Sequence, residues 1–219
     1  MFSPIDLYCE RLGPGFWAEP VNALTNLFFI LAAFLVRRRA GRLHVVSPGV
    51  RLLVGLLYAI GVGSFLFHTF AVGWAQLADV IPIMLFLFVY VWLYCREVAE
   101  LNAVAAIAVL LLIAIIGGAA GRFPQVLNGS VMYAPALLAL LGTGLFHAVS
   151  RRKERYVLLG AAGLFLVSLT FRVVDNLICP CISLGTHFLW HICNSAVLYM
   201  GLRGFLANHN RRISAANGS

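Results

Sequence analysis

Two pairs of polar residues with helical spacing occur in a chain made mostly of apolar residues. His187 and His191 are four residues apart, and so are Ser64 and His68. Residues four apart lie on one face of an α-helix, about 6 Å apart along its axis. His187 and His191 can therefore direct their imidazoles at one ion, and His68 can supply a third from another helix. Three neutral imidazoles with an open fourth position are typical of catalytic zinc, which lowers the pKa of its bound water to about 7.

Two further side chains can complete a hydrolytic centre of this kind. Asp79 can accept a proton from the zinc-bound water as a general base, and the Ser64 hydroxyl can donate to a developing oxyanion. Taken singly, each residue has a structural explanation, because buried His and Ser often hydrogen bond between or within helices and an Asp near a helix start complements the helix dipole. The combination favours a zinc-dependent hydrolase of an acyl bond.

Membrane-spanning helices must position these residues. The chain is 62% hydrophobic and only 11% charged, and a spanning helix needs about 20 mostly apolar residues. Short breaks separate seven such segments, so we predict an all-α, polytopic membrane protein: a seven-helix bundle over residues 1–208 and a short polar tail over 209–219. The predicted spans are 21–36, 51–70, 79–95, 102–118, 131–149, 156–174 and 184–206.

The distribution of basic residues predicts the orientation of the bundle. Cytoplasmic segments retain Lys and Arg, and with the amino terminus outside, the inner segments hold all of the 16 basic residues except Arg11, Arg122 and Arg172. We therefore expect the amino terminus outside and the carboxyl terminus in the cytoplasm. This orientation places both polar pairs and Asp79 at a similar depth beneath the outer surface. It also accounts for the net charge of +8, so binding to nucleic acid is not predicted.

Several motifs resemble those of the alkaline ceramidases, which belong to a wider superfamily of seven-helix membrane hydrolases that includes the adiponectin receptors. The similarity runs in family order from Asp6 to about Tyr199. The motifs that carry it are Cys9–Glu10, Glu19–Asn26, Gly63–His68, Asp79, Asp175–Asn176 and His187–His191.

The resemblance implies a fold, a metal site and a reaction. The fold is a seven-helix bundle with the amino terminus outside. Zinc is bound by His68, His187 and His191, with Ser64 and Asp79 beside it. The reaction is hydrolysis of the ceramide amide to sphingosine and a fatty acid, a step of sphingolipid metabolism.

The resemblance also implies a calcium ion near the amino terminus. Its carboxylate ligands here are Asp6, Glu10 and Glu19, and hard oxygen ligands suit calcium. The sequence departs from the family at this point, because the stretch from Glu10 to Glu19 is shorter and Leu or Gly at positions 12 and 13 stands where an Asn ligand is expected. The three carboxylates can instead be solvated charges or salt-bridge partners of Arg11 and Arg172.

The cysteines fit the predicted topology. Cys9, Cys179 and Cys181 fall in segments predicted to lie outside, where a disulfide is feasible in an oxidising compartment. The resemblance favours a bond between Cys9 and Cys179. Reduced thiols are the alternative.

Three functions are compatible with these observations. The first is a zinc amidase that acts on ceramide or another long-chain N-acyl lipid. The second is a seven-helix lipid receptor or scaffold with structural zinc and no significant turnover, and the third is a proton-coupled transporter, which should carry polar residues across the full membrane thickness. Lys153 is the single lysine in an arginine- and alanine-rich chain, which favours a bacterial inner membrane over the endoplasmic reticulum or Golgi.

Overall fold

A computed structural model describes residues 2–209. Within this range the chain is helical and contains no β-strand. Of the polar tail predicted at 209–219, all but His209 lies outside the described residues. The helices are α1 (Pro20–Thr25), α2 (Leu27–Arg42), α3 (Pro48–Phe70), α4 (Gly73–Leu93), α5 (Ala103–Ala120), α6 (Ala134–Val149), α7 (Val157–Ile178) and α8 (His187–His209).

Local sequence signals set several of the helix boundaries. The Ser47 hydroxyl accepts a hydrogen bond of 3.2 Å from the Val50 amide at the start of α3, and the Asn102 side chain caps α5 in the same way. Such caps satisfy amide donors that have no partner within the helix. The chain reverses between α3 and α4 at Ala71, which adopts a positive φ of 45°. The predicted span 79–95 placed Asp79 at the head of its helix. Because α4 begins at Gly73, Asp79 instead lies in the second turn.

Six helical segments in the described part of the chain are long and apolar enough to cross a membrane, where the sequence predicted seven. The first is α1 together with α2, and the others follow through α7. The seventh predicted span corresponds to α8, which has 23 residues but is too polar in composition to be counted with these six segments. Its polar residues include His187, His191, Asn194 and Ser195.

Close helix packing places α3 against α4 and α7 against α8. Buried residues of α2, α3, α4 and α8 contribute most of the larger apolar cluster. A Cβ atom added at Gly63 would lie 2.0 Å from the backbone oxygen of Ala78. A side chain at this position is therefore incompatible with the observed packing, and the absence of one lets α3 bring Ser64 beside Asp79 of α4.

Candidate metal centre and its cavity

Three buried histidines meet where α3 ends and α8 begins. The ligand atoms of His68, His187 and His191 lie within 4.8 Å of one another. Among the described residues, these three form a group that could bind a metal ion. The Nε2 atoms of His68 and His191 are 3.1 Å apart. Within residues 2–209 the buried Nδ1 atom of His187 has no hydrogen-bond partner. Three imidazoles that each offer a nitrogen to one small volume fit a metal ion such as zinc.

Hydrogen bonds to Nδ1 orient two of the three imidazoles, those of His68 and His191. The Glu19 carboxylate oxygen Oε2 lies 2.6 Å from Nδ1 of His68, and the Thr25 hydroxyl lies 2.9 Å from Nδ1 of His191. In both rings this arrangement leaves Nε2 directed towards the other histidines. Metal-binding histidines in proteins are held in this way by partners on the far ring nitrogen, which fix the tautomer and the ring orientation.

Sequence reasoning assigned neither Glu19 nor Thr25 to the histidine site. Glu19 was expected as a calcium ligand, and Thr25 was part of the family resemblance without a role. A signal for Glu19 was present, because a carboxylate immediately before an apolar helix is costly to bury without a partner. For Thr25 there was none, since its hydroxyl also bonds the backbone oxygen of Val21 at 2.9 Å, as threonines in helices commonly do.

Asp175 positions the first residue of α8. Its carboxylate accepts hydrogen bonds from the backbone amides of Thr186 at 2.7 Å and His187 at 2.9 Å. The other oxygen accepts from the amide of Cys9 at 3.0 Å. A disulfide joins Cys9 to Cys179 in the connection that follows α7. The amino-terminal segment is therefore fastened to the end of the bundle that holds the histidines.

Tyr8 and Arg172 cover the histidines on another side. The Tyr8 ring stacks on His187 with 3.7 Å between ring centroids, and Arg172 donates a hydrogen bond of 3.2 Å to the Tyr8 hydroxyl. The Arg172 guanidinium also lies over the rings of Tyr133 and Trp190. Arg172, which the charge distribution predicts on the outer side of the membrane, is buried. Cation–π contacts of this kind offset part of the cost of burying its charge.

A cavity adjoins the histidine site, next to His187 and His191, and is partly open to the surroundings. Ser64, Asp79, His187 and His191 line one end of it. Ser64 is close enough to interact with the Asp79 carboxylate. The sequence-predicted catalytic pair therefore faces the same space as two of the three predicted ligands.

The rest of the cavity wall is mostly apolar, and the cavity extends along α4 and α8. On α4 the lining continues from Asp79 to Tyr90, which is about 16 Å along the helix. On α8 it continues from His187 to Gly201, which is about 21 Å. Such a cavity, with a few polar groups at one end, matches an elongated molecule that has an apolar chain and a polar head.

The carboxylates expected at a calcium site are not brought into one group. Asp6 is exposed, whereas Glu10 and Glu19 are buried. Glu10 accepts hydrogen bonds from the amides of Val21 at 2.7 Å and Asn22 at 2.8 Å at the start of α1, and burial raises its pKa. Burial would also raise the pKa of Glu19, but its interactions with His68 and Arg11 prevail and lower it.

Comparison with known protein families gives a match over most of the chain. The sequence model of the family described as Ceramidase matches residues 8–211, which is most of the chain and includes every residue of the histidine site. None of the curated proteins compared with the chain matches it. The chain belongs to the ceramidase family.

Proposed function

We propose that the protein is an intramembrane, zinc-dependent amidase that hydrolyses ceramide or a related N-acyl lipid to a sphingoid base and a free fatty acid. Membership of the ceramidase family supports hydrolysis of an amide bond. The observation that carries the proposal is the position of the buried histidine group at the polar end of a long apolar cavity.

The metal in this proposal is bound by His68, His187 and His191. The donor set suits zinc, because Glu19 and Thr25 hold two of the rings with Nε2 directed inwards. When bound, zinc polarises a carbonyl and makes a water molecule acidic enough to ionise near neutral pH.

Asp79 and Ser64 have separate roles in the proposed reaction. Asp79 acts as the general base: it accepts a proton from the attacking water and can return it to the leaving amine. The Ser64 hydroxyl donates a hydrogen bond to the oxyanion that develops on the carbonyl oxygen. Their neighbouring positions on α3 and α4 support this division, since both line the cavity beside His187 and His191.

The cavity supports an N-acyl lipid as the substrate class. Its apolar wall can hold a long acyl chain between α4, α6 and α8, with the amide at the polar end next to the histidines. Burial of the chain supplies binding energy that is independent of headgroup chemistry. Ceramide fits this description, and so does another long-chain N-acyl lipid.

The proposal includes α8 as a seventh membrane span, with the amino terminus outside and the site beneath the outer surface. The polar composition of α8 is compatible with a spanning position because α8 packs against both α2 and α7. A helix enclosed by others can carry polar residues that face the interior of the bundle. A bacterial inner membrane is the proposed location.

The test combines metal analysis with mass spectrometry of lipid products. Purified protein should contain one zinc ion per chain and release fatty acid from a ceramide, and His191→Ala should lose both properties. The control is His147→Ala, which removes a buried histidine of α6 outside the histidine site. Zinc-loaded protein that binds N-acyl lipids but releases no fatty acid from any of them would refute an amidase and identify a receptor or scaffold with structural zinc.

A further inference from the structure

Arg11 is a buried cation next to the histidine site. Its side chain is only 4% exposed, and Nε forms an ion pair with Oε1 of Glu19. The remaining guanidinium nitrogens donate to backbone oxygens of His68 at 2.9 Å, Gly13 at 3.0 Å and Gly15 at 3.5 Å. One side chain thus connects the loop before α1, the residue preceding α1 and the last turn of α3.

Glu19 connects Arg11 to His68, which is a proposed metal ligand. While Oε1 contacts Arg11, Oε2 lies 2.6 Å from Nδ1 of His68 and accepts a hydrogen bond of 3.2 Å from the Asn22 side chain. A buried carboxylate is costly without a counter-charge. Arg11 supplies that charge, and its planar guanidinium is itself held in place because the other nitrogens bond backbone oxygens while Nε contacts Glu19.

The same geometry does not fit the calcium ion that the family resemblance implies. Among the three expected ligands, Asp6 is exposed and outside any group of potential metal ligands in the described part of the chain. Both oxygens of Glu10 accept backbone amides of α1. Both oxygens of Glu19 are engaged by Arg11 and His68. Of the expected ligand oxygens, Oε1 of Glu19 contacts the guanidinium of Arg11, which takes its other partners from backbone oxygens of His68, Gly13 and Gly15.

We propose that the guanidinium of Arg11 is the permanent cation of this amino-terminal site, in place of calcium, and that it positions the proposed metal ligand His68 through Glu19. Arg11 touches neither substrate nor zinc, so it is a positioning residue. Because the cation belongs to the chain, it cannot dissociate, and the site does not depend on free calcium. The second half of this inference rests on zinc binding by His68 under the proposed function.

The first arm of the test measures zinc affinity by competition with a chromophoric chelator, without substrate. We expect Arg11→Gln to weaken zinc binding about 10- to 100-fold, the range seen when partners of metal ligands are removed. Arg11→Lys should fall between Arg11→Gln and the wild type, since an ammonium keeps the charge but not the planar guanidinium. The matched control is Arg122→Gln, an exposed arginine, which should bind zinc as the wild type does. Cobalt(II) in place of zinc should give an altered visible spectrum in Arg11→Gln only.

The second arm measures the thermal unfolding of the wild type with and without added calcium. We expect no shift, because Asp6 is exposed and the oxygens of Glu10 and Glu19 already have partners. A calcium-dependent increase in stability or zinc affinity would overturn the assignment, and so would wild-type zinc affinity in Arg11→Gln. If Arg11→Gln does not fold, the calcium measurement on the wild type still tests whether calcium binds at the amino-terminal site. A protein that binds zinc but hydrolyses no lipid would contradict the proposed function and leave both arms intact.

Discussion

Replacing Glu19 with Gln tests whether the carboxylate behind His68 controls metal binding. The two side chains have the same shape, so the substitution removes charge and one acceptor without opening space. Glu19 receives Arg11 on one oxygen and His68 on the other, but Gln has a single acceptor oxygen. If that oxygen faces Arg11, the amide NH₂ faces Nδ1 of His68. The ring then favours the tautomer that carries its proton on Nε2, which cannot bind a metal.

The expected magnitude follows from these contacts. Loss of a partner on a metal-binding histidine lowers metal affinity about 10- to 100-fold, which corresponds to about 1.4 to 2.7 kcal/mol. The Arg11 charge also loses its buried partner, and breaking such a pair costs about 3 to 5 kcal/mol of folding stability. Thr25→Val removes a neutral hydrogen bond to His191, worth about 1 kcal/mol, together with hydroxyl contacts to the backbone of α1 that do not involve the histidines. Zinc affinity should therefore fall less in Thr25→Val than in Glu19→Gln.

The assay is zinc competition in detergent, accompanied by thermal unfolding of the metal-free protein. Glu154→Gln is the matched control, because Glu154 also receives two cations, Arg39 and Arg203, both at 2.7 Å. Its side chain is 22% exposed, so its loss should cost no more than about 1 kcal/mol of stability and should not change zinc affinity. Equal zinc affinity in Glu19→Gln and the wild type would refute the assignment of Glu19 as the partner that orients His68.

Three further predictions concern the base, the cavity and the disulfide. Asp79→Asn should lower the rate of fatty acid release at least about 100-fold while zinc content stays unchanged, and equal loss of zinc would mean that this residue supports the metal instead. Ala139→Phe, in the cavity wall, should reduce hydrolysis of long-chain more than short-chain N-acyl lipids, whereas Ala108→Phe on an exposed face of α5 should not alter the chain-length profile. Cys9→Ser should lower stability by about 2 to 5 kcal/mol in thermal unfolding without reductant, and the control Cys181→Ser, which removes an exposed unpaired thiol, should unfold like the wild type.

The helices and the residues they carry could be predicted to a large extent from sequence. Apolar runs and short polar breaks locate α2 to α7, and the spacing of His187 and His191 places both on one face of α8. The end of α2 was predicted too early because the helix continues through the three arginines at 37–39 to Arg42. Long basic side chains can extend from a helix end towards water, so the helix does not need to stop where the apolar run stops.

The contacts of the amino-terminal segment could not be predicted in the same way. Residues 2–19 contain no α-helix or β-strand, and periodic patterns are informative only for regular elements. The partners of Glu19 and the position of Tyr8 depend on where this segment folds over the bundle. The sequence left Glu19 as a calcium ligand by family resemblance, as a solvated charge, or as a salt-bridge partner of Arg11 or Arg172. The choice among these depends on the path of the loop, which places Arg11 over the end of α3.

The amino-terminal segment supplies polar contacts on both sides of the histidine site. One set runs from Arg11 through Glu19 to His68 on α3, and the other runs from Cys9 through Asp175 to His187 on α8. Helices in a membrane gain no hydrophobic energy by packing on one another, so polar contacts and close packing must fix their relative positions. The disulfide at Cys9 fastens the segment that provides both sets. Its loss should therefore loosen the ligands on α3 and α8 together, whereas Glu19→Gln should act on the α3 side alone.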